Sequence, residues 1–294
     1  MDKRFGLIGD PIATSGSPVL FRAAYSGRWP YDLIEGADFE ASWRRFLEEY
    51  TAINVTAPFK EKAFAQALCL ARDGFGSVSG PCLKIGATNL VVKAPDGIQA
   101  HNSDFSGIIM SVAEALFPGV VDACLKEYGQ RIHIKVHQFV RENLTEVYGY
   151  RPEALVVGCG GAGKAAAVAA AEMGYGVSLM NRSPEKAQAL AGALPEYGFL
   201  AVPLADFAAA AAECDLVIYT LPCPLDKMPS DLPASSEKPK LFVEANYKTP
   251  AFSPETLPGW KYVPGREWLL YQALAGYGLM SGAEPDFQAM MQAL

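Results

Sequence analysis

The sequence has no long uninterrupted hydrophobic run and no excess of basic residues. Among its 294 residues, no stretch reaches the roughly 18 uncharged apolar residues that a membrane-spanning helix requires. Lys and Arg number 25 against 32 Asp and Glu, and the net charge of -7 disfavours nucleic acid or an anionic membrane as a partner. The N-terminal residues MDKRFGLIGDP are too polar and too few for a signal peptide, so we expect a soluble, cytoplasmic protein.

Paired cysteines and zinc-binding motifs are also missing. None of the cysteines forms a C-x-x-C pair and several lie inside apolar runs, which predicts reduced, buried thiols. His133 and His137 are four residues apart, a spacing that permits a metal pair, but neither an HExxH motif nor a third ligand accompanies them. We therefore predict that the protein binds no metal. The cysteines are Cys69, Cys82, Cys124, Cys159, Cys214 and Cys223.

A glycine-rich segment in the second half of the chain predicts a dinucleotide-binding turn. An apolar run from Ala154 leads into a G-x-G-x-x-G sequence, an alanine-rich helical segment and a second apolar run that ends at Asn181. In such a strand, turn, helix and strand, the first glycine permits the turn, the second lets a pyrophosphate approach the backbone, and the third lets the helix pack on the strand. An ordinary βαβ turn is the alternative. The predicted cofactor-binding residues of the turn are Gly158, Gly160, Gly161, Ala162 and Gly163.

The residues after the second strand favour NADP over NAD. An NAD site usually has Asp or Glu about 20 residues after the glycines, whereas this chain has Asn181, Arg182 and Ser183. An amide, a guanidinium and a hydroxyl suit a 2′-phosphate, and Lys186 adds a second cation one helical turn later. Ser183 also fits the N-cap of a helix that starts at Pro184. We predict NADP as the cofactor, bound by these four side chains, with NAD as the alternative.

Several polar residues of the N-terminal half lie at predicted strand ends or helix starts. Ser15 and Ser17 would share a face in an extended loop, although serines before a proline are more often turn formers. Lys60 follows a strand that exits at Pro58, where open α/β sheets bind their ligands, or else it simply starts a helix. Asp104 either caps the helix that follows it or holds the Lys60 ammonium as an acid/base pair.

An ordered set of motifs resembles the shikimate dehydrogenase family. The motifs run through most of the chain: S-G-S-P from Ser15, N-V-T-A-P-F-K from Asn54, G-A-T-N from Gly86, H-N-S-D-F-S-G from His101, G-C-G-G-A-G from Gly158 and N-R-S from Asn181. The resemblance implies that Ser15 and Ser17 bind the substrate carboxylate, and that Thr56, Asn89 and Asp104 bind ring hydroxyls. It also implies that Lys60 and Asp104 form the catalytic pair. By the same resemblance, Tyr247 and Gln272 contact the substrate.

The sequence departs from the family pattern at four places. Thr14 stands where the family usually has histidine, and Ser103 where it usually has threonine. Residues 219–225 replace the family's N-A-T-S-x-G-M loop, which contacts the nicotinamide. An insertion at 118–153 separates the two halves, where the family needs only a short connection.

The insertion predicts an additional amphipathic helix. Apolar residues recur at helical spacing on one face and charged residues occupy the other. We expect this helix to pack on the body of the protein or on a second subunit. The apolar residues are Ile132, Val136, Phe139, Val140 and Leu144.

Together these observations predict a two-domain α/β protein with its active site in the cleft between the domains. An N-terminal α/β substrate domain (1–108 plus 265–294), a hinge helix with the inserted helical segment (109–153) and a Rossmann NADP-binding domain (154–264) would make up the chain. The resemblance implies an NADP-dependent oxidoreductase that interconverts 3-dehydroshikimate and shikimate, as a monomer or homodimer. A dehydrogenase for quinate or a related polyhydroxy-carboxylate using NAD or NADP, and a non-catalytic dinucleotide-binding regulatory protein, are the alternatives. Because lysine is an ammonium at neutral pH, Lys60 is suited to donate a proton or to stabilise an alkoxide.

Overall fold

The hydrophobic periodicities of the sequence give rise to two sheets, one in each of two units. The computed structural model describes residues 3–225, 232, 234 and 236–294. Unit 1 comprises Met1–Asp104 and Gln272–Leu294, and unit 2 comprises Phe105–Tyr271. The two-domain α/β class expected from the sequence is confirmed, whereas the domain boundaries predicted above stay a prediction.

The regular elements of the described residues are strands, α-helices and short 3-10 helices. The strands are β1 (Phe5–Gly9), β2 (Tyr31–Glu35), β3 (Ala52–Val55), β4 (Gly76–Val78), β5 (Leu90–Ala94), β6 (Gly97–His101), β7 (Glu153–Val157), β8 (Gly176–Met180), β9 (Leu200–Ala201), β10 (Leu216–Tyr219), β11 (Leu241–Glu244) and β12 (Lys261–Val263). The helices are α1 (Ser17–Ala24), α2 (Phe39–Glu49), α3 (Lys60–Arg72), α4 (Gly80–Ile85), α5 (Ser103–Leu116), α6 (Val120–Tyr128), α7 (Ile132–Tyr148), α8 (Gly161–Met173), α9 (Pro184–Ala193), α10 (Phe207–Glu213), α11 (Gly265–Ser281) and α12 (Phe287–Gln292). Short 3-10 helices occur at Gly129–Arg131, Pro195–Tyr197, Leu204–Asp206 and Pro254–Thr256.

The sheet of unit 1 is mixed, with strand order β2-β1-β3-β5-β6-β4. β1 pairs in parallel with both β2 and β3, so that Phe5 lies opposite Tyr31 on one side and Ala52 on the other. β5 runs antiparallel to β3 and to β6. Because β1 and β3 are parallel neighbours, the loops that follow them leave the sheet at the same edge. These loops carry the predicted substrate-binding serines and Lys60.

Helix α2 covers this sheet with an aromatic face. Asp38 caps the helix, its carboxylate accepting a hydrogen bond from the Glu40 backbone N–H at 3.0 Å. Trp43 packs on Phe46 with ring centroids 5.2 Å apart, and both side chains are buried. The helical spacing of Phe39, Trp43, Phe46 and Leu47 in the sequence predicts that all four lie in the core, but Leu47 is 41% exposed. That assignment was wrong because the buried face of α2 includes Ser42, which leaves Leu47 at its edge.

The sheet of unit 2 is parallel throughout, with strand order β12-β11-β10-β7-β8-β9. Counted from β7, this is the 3-2-1-4-5-6 order of the dinucleotide-binding fold. The order reverses between β7 and β10, and ligands of such sheets bind outside the carboxyl ends of the strands at that point. The glycine-rich turn follows β7, so the topology puts it at this position.

The insertion contains two helices, α6 and α7, where the sequence predicted one. The predicted helix is α7, and its apolar residues line one buried face, apart from Phe139, which is half-buried. That face packs on the Rossmann half of unit 2: the Nε2 atom of His137 lies 3.1 Å from the backbone oxygen of Glu172 on α8. The body of the protein, rather than a second subunit, therefore covers the apolar face.

None of the helices within the described residues is both long enough and apolar enough to cross a membrane.

Candidate active site

A buried ion pair forms the centre of the polar cluster in unit 1. The Nζ atom of Lys60 donates to Oδ2 of Asp104 at 2.6 Å, and the two side chains are 15% and 7% exposed. Lys60 is the first residue of α3 and Asp104 the second residue of α5, so two helix starts bring together residues 44 positions apart. The predicted pairing of the lysine with the aspartate is therefore present. This ion pair orients the Lys60 ammonium, which is partly shielded from water.

Asn89 holds the second oxygen of the same carboxylate. Its Nδ2 atom donates to Oδ1 of Asp104 at 2.9 Å, and its Oδ1 accepts the backbone N–H of Ser103 at 2.7 Å. Each oxygen of the Asp104 carboxylate thus has a side-chain donor, which fixes its orientation. This arrangement favours the acid/base pair over a simple helix cap as the task of Asp104.

The neighbouring Thr88 has a structural role. Its hydroxyl lies 2.9 Å from the backbone oxygen of Leu90 and 2.5 Å from that of His101. Burial raises the pKa of the nearby Cys82 thiol to about 11, so this cysteine is a neutral part of the core.

The two serines of the first loop lie side by side. The Oγ atoms of Ser15 and Ser17 are 3.2 Å apart, and the backbone N–H of Ser17 donates to Oγ of Ser15 at 3.3 Å. Two adjacent hydroxyls at the start of α1 can donate jointly to one carboxylate. Thr56 packs its methyl group against the end of β1, where a Cβ on Gly9 would lie 2.4 Å from it.

The remaining predicted substrate contacts lie on other elements. Gln272 is half-buried on α11 in unit 1. Tyr247 follows β11 in unit 2, with Nζ of Lys248 5.9 Å from the centre of its ring. Their predicted contacts with substrate stay predictions.

The glycine-rich turn of unit 2 has the geometry that its three glycines predict. Gly158 has φ +107, and a Cβ there would lie 2.3 Å from Oγ1 of Thr220. Gly160 is the N-cap of α8, and a Cβ on it would meet nothing within 4 Å, so the backbone is open to an approaching ligand. A Cβ on Gly163 would lie 1.9 Å from the backbone oxygen of Gly158. Gly161 and Ala162 form the first turn of α8, whose N–H groups favour an anion.

The end of β8 presents cations and no carboxylate. Asn181 braces the turn, since its Oδ1 accepts the Cys159 N–H at 3.0 Å. Arg182 and Lys186 are exposed. Ser183 occupies the N-cap of α9, but its hydroxyl makes no capping hydrogen bond. Ser183 therefore has the N-cap position that the sequence predicts but not the capping hydrogen bond, because its side chain does not reach the N–H groups of the first turn.

Lys164 is a further cation that sequence reasoning missed. The charges of Lys164 and Lys186 both act to lower the pKa of the Cys159 thiol in the turn, although burial dominates and raises it to about 11. Both ammonium groups therefore contribute positive potential at the glycine-rich turn. The available signal was the position of Lys164, directly after the third glycine.

Two residues from other elements of unit 2, Arg182 and Asn246, contact the altered loop at 219–225. The hydroxyl of Tyr219 donates to the backbone oxygen of Cys223 at 2.8 Å, and Nη1 of Arg182 lies 3.6 Å from the Cys223 sulfur. Asn246 reaches the loop from β11, its Nδ2 donating to the backbone oxygen of Pro222 at 3.0 Å. The loop is thus held against the arginine that we expect to bind the 2′-phosphate.

One of the two histidines of the insertion, His137, contacts other residues of unit 2. His137 contacts the backbone of Glu172 and the ring of Phe105, with ring centroids 5.8 Å apart. Within the part of the chain that the structure describes, no group of three His, Cys, Asp or Glu residues could hold a metal ion.

Comparisons with known proteins find similar sequences and similar folds. The sequence model of the family described as Shikimate / quinate 5-dehydrogenase matches residues 142–225. A shikimate dehydrogenase (NADP(+)) of Acidiphilium cryptum is 29% identical over 294 residues, covering 95% of this chain and 91% of its own. The chain is therefore similar to shikimate and quinate dehydrogenases in both comparisons.

Solved structures with a similar fold include shikimate and quinate dehydrogenases. Shikimate 5-dehydrogenase from Thermus thermophilus, solved in complex with shikimate, has a TM-score of 0.70 at 25% identity and covers 99% of this chain and 97% of its own. Quinate dehydrogenase from Corynebacterium glutamicum, in complex with NAD, has a TM-score of 0.72 at 19% identity and covers 99% and 98%. At that identity the likeness concerns the fold alone.

Proposed function

We propose that this protein is an NADP-dependent shikimate dehydrogenase, which reversibly reduces 3-dehydroshikimate to shikimate in chorismate and aromatic amino-acid biosynthesis. The observation that carries the proposal is the buried Lys60–Asp104 pair, held at 2.6 Å beside Asn89. A protein that only bound a dinucleotide would need neither residue. The full-length relatives named NADP(+) shikimate dehydrogenases support the same activity and cofactor.

Lys60 acts on the oxygen of the reacting carbon. In the direction of reduction its ammonium donates a proton to the developing alkoxide, or stabilises the negative charge on it. Asp104 aims the ammonium through Oδ2 and, with Asn89, hydrogen-bonds the ring hydroxyls. In the direction of oxidation the neutral Lys60 amine takes up the proton of the alcohol and becomes the ammonium.

The serines and threonine fix the orientation of the substrate. Ser15 and Ser17 bind the carboxylate through their adjacent hydroxyls, and Thr56 contributes a polar contact with the ring. Gln272 and Tyr247 complete the substrate contacts. Holding a substrate by both its carboxylate and its reacting hydroxyl restricts rotation, which is a main source of rate enhancement.

The residues of unit 2 fit NADP. The open backbone at Gly160 admits a pyrophosphate at the start of α8, while Arg182, Ser183 and Lys186 suit a 2′-phosphate and Asn181 braces the turn. When bound, the nicotinamide supplies or accepts the hydride. The protein contributes position, electrostatic stabilisation and the proton.

The first experiment is to follow nicotinamide absorbance in four mixtures of the purified protein, with shikimate or quinate and with NADP or NAD. We expect reduction with shikimate and NADP. Reduction only with quinate would replace the proposed substrate, and reduction only with NAD would contradict the assigned role of Arg182. Binding of NADPH without turnover in any mixture would favour the non-catalytic alternative.

We also expect the protein to act in the cytoplasm, as a monomer or homodimer, without nucleic-acid or membrane partners. The acidic net charge of -7 supports this expectation.

A further inference from the structure

Tyr31, the first residue of β2, is hydrogen-bonded to residues outside its own strand. Its hydroxyl donates to Oδ1 of Asn54 at 2.8 Å. Burial raises the pKa of this tyrosine well above its ordinary value, and a hydrogen bond with the Ser17 side chain offsets part of the effect. One neutral phenol therefore contacts both the serine expected to bind the carboxylate and an asparagine of β3.

Asn54 continues the connection to the ion pair. Its Nδ2 atom donates to the backbone oxygen of Asn89 at 3.3 Å, and the Asn89 side chain holds Asp104 at 2.9 Å. The polar groups thus form a chain that starts at Ser17 and passes through Tyr31, Asn54 and Asn89 to the carboxylate.

Aromatic packing holds the Tyr31 ring in place. The ring centroid lies 4.8 Å from that of Phe21 and 6.2 Å from that of Tyr277. The hydroxyl of Tyr277 in turn donates to the backbone oxygen of Ser17 at 2.9 Å. Both the phenol and the serine it contacts are consequently restrained by the same cluster.

We propose that Tyr31 is a positioning residue, which sets the separation between the carboxylate-binding serines and the Lys60–Asp104 pair. It does not itself contact substrate: it acts through Ser17 and Asn54. This inference rests on the proposed function, since it concerns how the same substrate is held at its two ends.

The test compares Tyr31→Phe with a matched control, Tyr25→Phe. Tyr25 belongs to the same cluster, 4.9 Å from Phe21 between ring centroids, but its hydroxyl pairs with Ser281 at 2.8 Å, outside the predicted substrate contacts. We expect Tyr31→Phe to raise the KM for shikimate about tenfold, as for one lost hydrogen bond to a binding group. The KM for NADP should stay unchanged and kcat should fall less than threefold. The Tyr25→Phe control should have a kcat, a KM for shikimate and a KM for NADP that are each within twofold of the wild-type value.

Two outcomes would overturn the inference. One is a KM for shikimate that stays within twofold of the wild type, and the other is an equal change of both KM values, which would indicate a general structural effect.

A double-mutant cycle separates this inference from the proposed function. Tyr31→Phe, Ser17→Ala and the double variant are compared in urea unfolding, which needs no substrate. Non-additive effects on the free energy of unfolding would establish the Tyr31–Ser17 connection even if shikimate were not the substrate, whereas additive effects would contradict it. Wild-type turnover tests the proposed function independently.

Discussion

The polar cluster of unit 1 and the glycine-rich turn region of unit 2 differ in how their polar groups are satisfied. In unit 1, Lys60, Asp104 and Asn89 are largely buried and bonded to one another at 2.6 to 2.9 Å. In unit 2, Arg182 is exposed and Gly160 faces open space. A preorganised cluster stabilises a transition state without having to rearrange, whereas exposed groups become ordered only when a ligand arrives. Changes within the Lys60–Asp104–Asn89 cluster should therefore reduce the rate, and changes at Arg182 or Gly160 should reduce cofactor affinity and discrimination.

The largest effect is expected from Lys60→Ala, which removes the group that donates the proton in reduction and takes it up in oxidation. We predict that kcat falls about 10³-fold, while the KM for shikimate changes far less. Lys62→Ala is the matched control, because Lys62 lies exposed in the first turn of the same helix. Steady-state kinetics at saturating NADP measures the effect. Turnover at the wild-type rate in a folded Lys60→Ala variant would remove this lysine from the mechanism.

Two glycines of the same turn should respond in opposite ways. Gly163→Ala puts a Cβ 1.9 Å from a backbone oxygen, so we expect a loss of about 2 kcal/mol or more in the free energy of unfolding. Gly160→Ala meets no protein atom and should leave stability nearly unchanged, but it should weaken NADPH binding about tenfold by blocking the pyrophosphate. Urea unfolding and NADPH fluorescence titration measure the two quantities. Equal changes in the free energy of unfolding and in NADPH affinity for the two variants would argue against a pyrophosphate at Gly160.

Arg182→Gln tests whether the exposed cations select the cofactor. Loss of a charge-assisted contact to the 2′-phosphate should raise the KM for NADP about tenfold or more, with little change in the KM for NAD and in kcat. Cys223→Ala removes only the thiol beside the guanidinium and should shift the KM for NADP less than threefold. If Arg182→Gln weakened NADP and NAD equally, the arginine would not be reading the 2′-phosphate.

The parts of the site that the sequence predicts are those with local signals. The Gly158 to Gly163 turn follows from spacing, and the α7 face follows from the recurrence of apolar residues. The pairing of Lys60 with Asp104 was expected from the family motifs, since no local rule joins residues 44 positions apart.

The parts that could not be predicted depend on tertiary pairing. Tyr31 reaches Asn54 across β1, which lies between β2 and β3. In this register Phe5 of β1 lies opposite Tyr31, and Leu7 of β1 lies opposite Asn54. That register is a property of the assembled sheet and leaves no trace in either segment. Helix α6 was missed because the apolar pattern of α7 is the longer of the two in the insertion and alone was interpreted as a helix.

The smallest effect is expected in the insertion, at the half-buried His133, which lies outside the candidate site. Burial lowers the pKa of His133 below its ordinary value of 6.5, with the backbone of Gln130 acting in the opposite direction. The unfolded chain therefore binds a proton more readily than the folded chain, so that stability is fully present above pH 6.5 and declines as the pH falls toward the folded pKa. His133→Gln removes this titration. Urea unfolding between about pH 7.5 and 5 should show the difference between variant and wild type shifting in favour of the variant at the acidic end. A difference that did not change with pH would mean that the folded protein accommodates the imidazolium, and that the α7 side of unit 2 is as accessible to water as its cofactor edge.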